Sequence, residues 1–185
     1  MATTVTVPAT TLANLQTAYE GESNARAKYT AFALKADQEG FPDVASLFRA
    51  ASRAEQIHAE NHARVIRKFG AEPKCTIHEV KVGSTAENLG AAIAGEEYER
   101  DVMYPAFLAE AQSLKQTAAE RTFHWALEAE REHAKLYREA LNTLQAGKPQ
   151  VTYYVCVVCG FTTPDGNFAR CQICSNPREK FETVS

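Results

Sequence analysis

The sequence predicts an all-α four-helix bundle followed by a small C-terminal metal domain held by four cysteines. Three observations carry that expectation. Four long stretches place apolar residues at steps of three and four, each stripe is interrupted near its middle by ionisable residues, and two Cys-x-x-Cys pairs stand near the end of the chain. A chain of 185 residues has room for one ordinary domain of about 100–150 residues and a small appendage. The expected division is an N-terminal arm at 1–10, the bundle over 11–148 and the cysteine domain over 149–185.

The arm (MATTVTVPAT) is rich in Thr and Val and lacks helical periodicity. From about Thr11, the residues Leu12, Leu15, Tyr19, Glu22, Ala25, Tyr29, Phe32 and Ala36 form the stripe of a first helix that ends near Glu39-Gly40. Phe41-Pro42-Asp43 starts a second helix. Its face carries Val44, Leu47, Phe48, Ala51, Glu55, His58, His62, Val65, Ile66 and Phe69, and it stops at Gly70 with Pro73 beyond. The connection from about 71 to 85 is longer than a tight turn, as expected where a bundle joins its two hairpins by a crossover. A third helix is expected from Thr85 to Ser113 through Leu89, Ile93, Glu96, Glu99, Met103, Phe107 and Glu110, kinked at Pro105. The fourth is expected from Lys115 to Gln145, with Phe123, Leu127, Glu130, His133, Tyr137, Leu141 and Leu144 on its stripe and Gly147-Lys148-Pro149 as its stop.

The interruptions are Glu22, Glu55 with His58, Glu96 with Glu99, and Glu130 with His133. Burying five carboxylates and two imidazoles uncompensated would cost several kcal/mol per ion, against a total stability of about 5–15 kcal/mol. A single Glu-x-x-His on a Glu-rich helix is most simply a solvated face, but four sets coinciding with four apolar stripes at mid-helix point to positive charge between them. Residues three apart share a helix face, so each Glu-x-x-His can present a carboxylate and an imidazole to one ion, while a single Glu from another helix can bridge two. A dinuclear site is expected in preference to a buried ion-pair network. Oxygen-rich ligation with two imidazoles suits iron or manganese better than zinc or copper, with iron the first choice.

The chain also repeats itself. Gly21-Glu22 and Gly95-Glu96 each precede a Tyr-x-Ala-Phe (Tyr29 to Phe32, Tyr104 to Phe107), and each is followed by Ala-Glu-x-x-His-Ala (Ala54 to Ala59, Ala129 to Ala134). The one offset is an extra residue between Glu96 and Tyr104, where the second half also carries Glu99 and the first has Ala25. That insertion predicts a single-turn π-bulge between Glu96 and Tyr104.

Residues 150–185 are too few to bury a core of their own, so this piece depends on a metal for its fold. Cys156, Cys159, Cys171 and Cys174 give a strong tetrahedral tetrathiolate signal, for which spacing leaves zinc and iron equally open. The fifth cysteine, Cys75, reads as an inert loop or partly buried thiol. His62 reads as a stripe residue one turn beyond the site, and His78 and His124 as surface or loop histidines.

Composition narrows the partners. With 45% hydrophobic and 23% charged residues the chain is expected to pack. Twenty basic against 23 acidic residues, net charge -3, give no case for nucleic acid or an anionic membrane as partner. There is no long apolar run, and the first basic residue is Arg26; without a signal-like start, a cytoplasmic location is expected.

Gly-Glu-Ser-x-Ala-Arg (Gly21 to Arg26), Met-Tyr-Pro (Met103 to Pro105), Ala-Glu-x-x-His (129 to 133) and Cys-x-x-Cys-Gly-Phe (156 to 161) occur in this order. With these motifs the chain closely resembles the rubrerythrin family over nearly all of its length except the arm. The resemblance implies a ferritin-like diiron bundle joined to a rubredoxin-like iron domain, and reduction of hydrogen peroxide in the cytoplasm. It implies two iron ions held by Glu22, Glu55, His58, Glu96, Glu99, Glu130 and His133, and a third, redox-active iron held by Cys156, Cys159, Cys171 and Cys174. It also implies that one iron exchanges Glu99 for His58 on reduction, that an external reductase or small redox protein supplies electrons, and that the cysteine module of one subunit faces the diiron site of another, in at least a dimer. One departure stands out: Cys171-Gln172-Ile173-Cys174-Ser175 lacks the Pro and Gly of the usual rubredoxin Cys-Pro-x-Cys-Gly, which bears on the hydrogen bonding and potential of that iron.

The expected catalytic set is Glu99 and His58 together with Tyr29 and Tyr104, whose hydroxyls are expected to hydrogen-bond the ligating carboxylates. Three rival readings share the bundle. A ferroxidase or iron-storage protein, with zinc in the cysteine module, would favour oxygen as oxidant; a manganese catalase would need no electron donor; a non-enzymatic metal-binding protein would show no thiolate-to-iron absorption. The fused four-cysteine module favours a peroxidase with an electron-entry site.

Overall fold

The structure, a computed structural model, describes residues 8–185. Five α-helices make the bundle: α1 (Ala9–Glu39), α2 (Pro42–Lys68), α3 (Thr85–Tyr98), α4 (Tyr104–Ser113) and α5 (Thr117–Thr143). The expected third helix is α3 and α4 joined end to end through a π-helical turn, Glu99–Met103. The predicted bulge is therefore present, and Tyr104 N–H bonds the Glu99 carbonyl across it. The irregularity lies in that turn, with Pro105 just beyond it in the first turn of α4, where a missing N–H is tolerated.

Helix ends follow local chemistry. At the end of α1, Gly40 takes φ 81°, and its N–H bonds the carbonyls of Ala36 and Asp37, turning the chain directly into α2. Ser84 and Glu87 form a capping box at the start of α3. The end of α1 and the start of α3 are tied by Thr85 N–H donating to Glu39 at 2.8 Å.

The expected arm ends earlier than its composition implied. Helix α1 begins at Ala9, so Ala9 and Thr10 belong to the bundle, and Thr10 and Thr11 donate their hydroxyls to Glu110 of α4. Pro8 precedes the first turn; the rest of the arm, 1–7, lies outside the described residues. Helix α5 is shorter than expected at both ends, because Lys115 sits in a left-handed turn (φ 54°) and the last turn tightens to a 3₁₀ segment, Leu144–Ala146.

Two apolar clusters fill the bundle. One gathers Tyr29, Phe32, Phe48 and Tyr137, the other Leu15, Ile66, Tyr104 and Phe123. Along each helix the ionisable residues fall between the two, so a polar layer divides the core.

After α5 the chain forms a three-stranded antiparallel sheet in the order β2-β1-β3, with β1 (Tyr153–Cys156), β2 (Thr162–Thr163) and β3 (Phe181–Val184). Tyr153 pairs with Val184 and Cys156 with Phe181; on the other side Val155 pairs with Thr162. The sheet lies on α2 and α5 of the same chain, with Arg53 paired to Glu182 and Arg49 donating to the Ser185 carbonyl. No helix is long and apolar enough to cross a membrane among the described residues.

Candidate metal centres

In the polar layer α1 supplies Glu22, α2 supplies Glu55 and His58, α3 supplies Glu96, and α5 supplies Glu130 and His133, all buried. Their ligand atoms fall into two overlapping groups. Those of Glu22, Glu55, His58 and Glu130 lie within 4.8 Å of one another, and so do those of Glu55, Glu96, Glu130 and His133. Two ions can therefore share Glu55 and Glu130, with Glu22 and His58 at one end and Glu96 and His133 at the other. The sequence suggested the reverse, a lone Glu from a neighbouring helix as the bridge; helix rotation instead centres the Glu of each Glu-x-x-His.

The carboxylates are short of hydrogen bonds. Glu22 Oε2, Glu55 Oε1, Glu96 Oε2 and Glu130 Oε1 are all buried without a hydrogen-bond partner. Oxygen atoms in that state cost of order 1–3 kcal/mol each, more when charged. Both imidazoles turn Nδ1 into the same space: His58 Nδ1 is 2.8 Å from Glu55 and 2.9 Å from Glu130, and His133 Nδ1 is 2.7 Å from Glu130 and 3.4 Å from Glu55. Bare oxygens facing imidazole nitrogens fit a pair of cations, and the donor set suits iron or manganese.

Glu99 is only partly buried, and it belongs to neither group. It opens the π turn, and a Cβ on Gly21 would lie 3.9 Å from its Oε1. Charge crowding is still felt there. Burial, then Glu22, Glu130, Glu96 and Glu55, push the Glu99 carboxyl well above the usual carboxylate range. Burial and Glu55 do the same to Glu130, and burial and Glu96 raise Glu55. Burial would lower both imidazoles, but the carboxylates, led by Glu130, outweigh it and raise His58 and His133. Without metal the pocket thus balances its charge with protons, which metal ions displace on binding.

Tyr29 donates to Glu96 Oε1 at 2.5 Å, and Tyr104 donates to Glu22 Oε1. Both hydroxyls contact the carboxylates as expected of these two tyrosines, one at each end of the pocket.

In the C-terminal module Cys156, Cys159, Cys171 and Cys174 gather their sulfurs within 4.8 Å. Cys156 and Cys174 are 3.6 Å apart, and Cys159 and Cys171 3.5 Å. A tetrahedron with metal–sulfur bonds of about 2.3 Å has edges of about 3.8 Å, so the cluster is close to the size one metal requires. Metal-free, hydrogen bonds from Cys156 and Cys159 hold the Cys171 thiol far below its usual value, while contacts with Cys156 and Cys171 push Cys159 up.

The two sites touch through the imidazoles. His58 Nε2 donates to the Cys159 carbonyl at 3.1 Å. His133 Nε2 lies 3.3 Å from Thr162 Oγ1, which itself donates to the Gly160 carbonyl at 3.0 Å. Each Nε2–H is thereby fixed on the module side, leaving Nδ1 free for metal. Gly160 has φ +82°, and a Cβ there would sit within 2.7 Å of His58 Cδ2, so only glycine permits the approach. Asn61 seals the contact by donating to the Val158 carbonyl at 2.9 Å. All of these contacts are made within one chain.

A profile of the rubrerythrin family matches residues 13–141. The chain belongs to the rubrerythrin family. It is 40% identical to rubrerythrin-2 of Clostridium acetobutylicum over 172 residues, covering 91% of this chain and 93% of that protein. It is 36% identical to nigerythrin of Nitratidesulfovibrio vulgaris over 177 residues, covering 95% and 87%. Fully reduced, all-ferrous nigerythrin superposes with a TM-score of 0.88 at 34% identity, over 99% of this chain and 91% of that one. Bacterioferritin of Mycobacterium tuberculosis shares the bundle alone, with a TM-score of 0.70 at 21% identity over 77% of this chain. The rubrerythrin architecture of a ferritin-like bundle plus a rubredoxin-like four-cysteine domain is thus present in this chain.

Sequence reasoning singled out the six residues of the polar layer and the four cysteines that the structure brings together, but missed Thr162, Asn61 and the demand on Gly160. The available signal was that each Glu-x-x-His leaves a second ring nitrogen needing a partner. His78, His124 and Cys75 are exposed, and His62 is buried beside Tyr104.

Proposed function

We propose that the chain is a non-haem diiron peroxidase that reduces hydrogen peroxide to water in defence against oxidative stress. The observation that carries this reading is the pair of imidazole links from the dimetal pocket to the cysteine knuckle. A storage or purely structural module has no use for such links; an electron-entry module does.

In this reading Glu22, Glu55, His58, Glu96, Glu130 and His133 hold two iron ions, and the four cysteines hold a third. When bound, the iron pair supplies two electrons to the O–O bond and the tetrathiolate iron supplies their replacements. Glu99, outside both ligand groups, is the alternate to His58 and a proton source for the leaving oxygens. Tyr29 and Tyr104 fix the rotamers of Glu96 and Glu22, and the buried layer keeps bulk water away. Electrons come from NADH through an external reductase or small redox protein that docks near the module. The protein works in the cytoplasm as a homodimer or larger homo-oligomer, which sedimentation of the metal-loaded protein reads directly.

The test is an anaerobic titration of fully reduced, metal-quantified protein with substoichiometric peroxide, and with oxygen in parallel, following the ferric tetrathiolate band. The expected result is rapid return of the band with peroxide and slow return with oxygen. A missing band, or one that responds only to oxygen, removes the peroxidase reading and leaves a zinc-stapled ferroxidase or iron-handling protein.

A further inference from the structure

The chain has eleven arginines, and most of their guanidinium groups are matched. Arg49, Arg53, Arg100, Arg131 and Arg138 each pair with a carboxylate, and Arg170 and Arg178 donate to backbone carbonyls. Among the described residues Arg26, Arg64, Arg67 and Arg121 do neither.

Three of these unmatched arginines converge. Arg26 of α1 and Arg64 and Arg67 of α2 are exposed and line one pocket of about 420 Å³. The single carboxylate in its wall, Glu60, stands one turn before Arg64, the spacing at which the two would ordinarily pair on a helix. It accepts instead from the Gln56 amide at 2.9 Å. The lining therefore sets three positive charges against one negative, on a chain whose net charge is -3.

The crossover between α2 and α3 supplies the remaining wall. Three α1 side chains spaced one turn apart hold it along that helix: Gln16 bonds Lys74 N–H and the Glu72 carbonyl, Glu20 bonds Thr76 N–H, and Asn24 bonds His78 N–H and the Thr76 carbonyl. The bonded positions are all even-numbered. Cys75 and Ile77, which alternate with them, line the pocket together with Tyr19. Buried Ala59 and Ala63 form an apolar floor.

The volume suits a small organic molecule. Guanidinium forks bind phosphate and carboxylate oxygens in pairs, and an excess of two positive charges is matched by a phosphate group better than by one carboxylate. The apolar walls call for a ring joined to the charged end. We propose that this pocket binds a phosphate-bearing small molecule of the nucleotide class, its phosphates on Arg26, Arg64 and Arg67 and its ring against Tyr19 and Ile77. The bound molecule ties the crossover to α1 and α2. Binding involves neither peroxide nor electron transfer, and it is measured on the metal-loaded chain without turning it over.

The probe is ADP, with adenosine and citrate in parallel, on the metal-loaded full chain at about 0.15 M salt. Cys75 is the reporter, through its rate of alkylation by uncharged N-ethylmaleimide, located by peptide mass spectrometry. ADP at about 1 mM is expected to slow alkylation about fivefold, and the same occupancy to raise the thermal midpoint by about 2–4 °C. Adenosine, without the charge, is expected to do neither, and citrate, without the ring, to protect less than ADP. The triple variant Arg26→Gln, Arg64→Gln, Arg67→Gln is expected to lose the ADP effect while keeping its metal content and helical circular dichroism. Arg67→Gln alone, in the last turn of α2, is expected to weaken binding about threefold or more. No protection of the parent by ADP, equal protection by adenosine or citrate, or full protection of either variant overturns the site. So does a sedimentation coefficient that differs between parent and triple variant without ADP, which would assign these arginines to a contact between two copies of the chain.

Discussion

The dimetal pocket draws its six candidate ligands from residues 22 to 133, on four helices, whereas the cysteine site draws its four from 156 to 174, Cys156 at the end of β1 and the other three outside the strands. The bundle surrounds its pocket with two apolar clusters and can keep its helices packed while the pocket holds protons. The module gathers little beyond Cys156, Cys159, Cys171 and Phe161 into its core, so its metal is its core. One metal is a tenant of a fold; the other is a structural member. The difference predicts how each half responds to damage.

Cys171→Ser should break the comparison most sharply. Structural metal in such modules contributes on the order of 10 kcal/mol, so sheet order over 153–184 and donor-driven turnover should both be lost, while helical circular dichroism persists. Donor-driven turnover that survives would mean electrons bypass the module.

Gly160→Ala tests the junction with both metals in place. Its Cβ meets the His58 ring at a backbone angle that disfavours any side chain, costing about 1–3 kcal/mol. The expected result is full metal content with return of the tetrathiolate band after peroxide slowed about tenfold. An unchanged rate would remove the knuckle contact as the route.

Glu99→Ala acts on the bundle alone. It should leave the fold and the tetrathiolate spectrum intact and slow peroxide turnover by about tenfold. Unchanged turnover would take Glu99 out of the mechanism.

The smallest effect is a pH dependence of the metal-free protein. Folding raises Glu99 and Glu130 well above 4.5, and His58 and His133 well above 6.5. Groups raised on folding contribute stability that is fully present below their unfolded values and is lost as pH rises through the folded ones. Glu22 and Glu96, lowered on folding, work oppositely and only toward acid, and His62, also lowered, offsets part of the loss near pH 6.5. Thermal midpoints of the metal-free protein should therefore fall by several degrees between about pH 6 and about pH 9. A flat or rising midpoint would mean the pocket does not balance its charge with protons.

Much of this was legible in the chain. A Glu or Glu-x-x-His breaking each apolar stripe located the pocket, because helical periodicity converts spacing into direction. The count of residues between Glu96 and Tyr104, one more than between Glu22 and Tyr29, was enough to locate the π turn. What periodicity leaves free is rotation about each helix axis, which places Glu55 and Glu130 in both candidate ligand groups. It also says nothing of contacts between distant segments, and so His62 looked like an ordinary stripe residue although its Nδ1 lies 3.0 Å from the hydroxyl of Thr122, 60 positions away. Thr162 and Gly160 became meaningful only once the module was seen resting on α2 and α5.

The π turn bears on how the two hairpins came to differ. An extra residue in a regular helix would swing everything after it by about 100°, carrying Tyr104 and Ala111 off the core face; widening one turn confines the change to five residues. A duplicated ancestor could therefore gain a carboxylate in one copy without rewriting the rest of that helix. Deleting one residue from 99–103 should run the accident backward, giving an unbroken helix, a higher melting temperature and two hairpins of matched length.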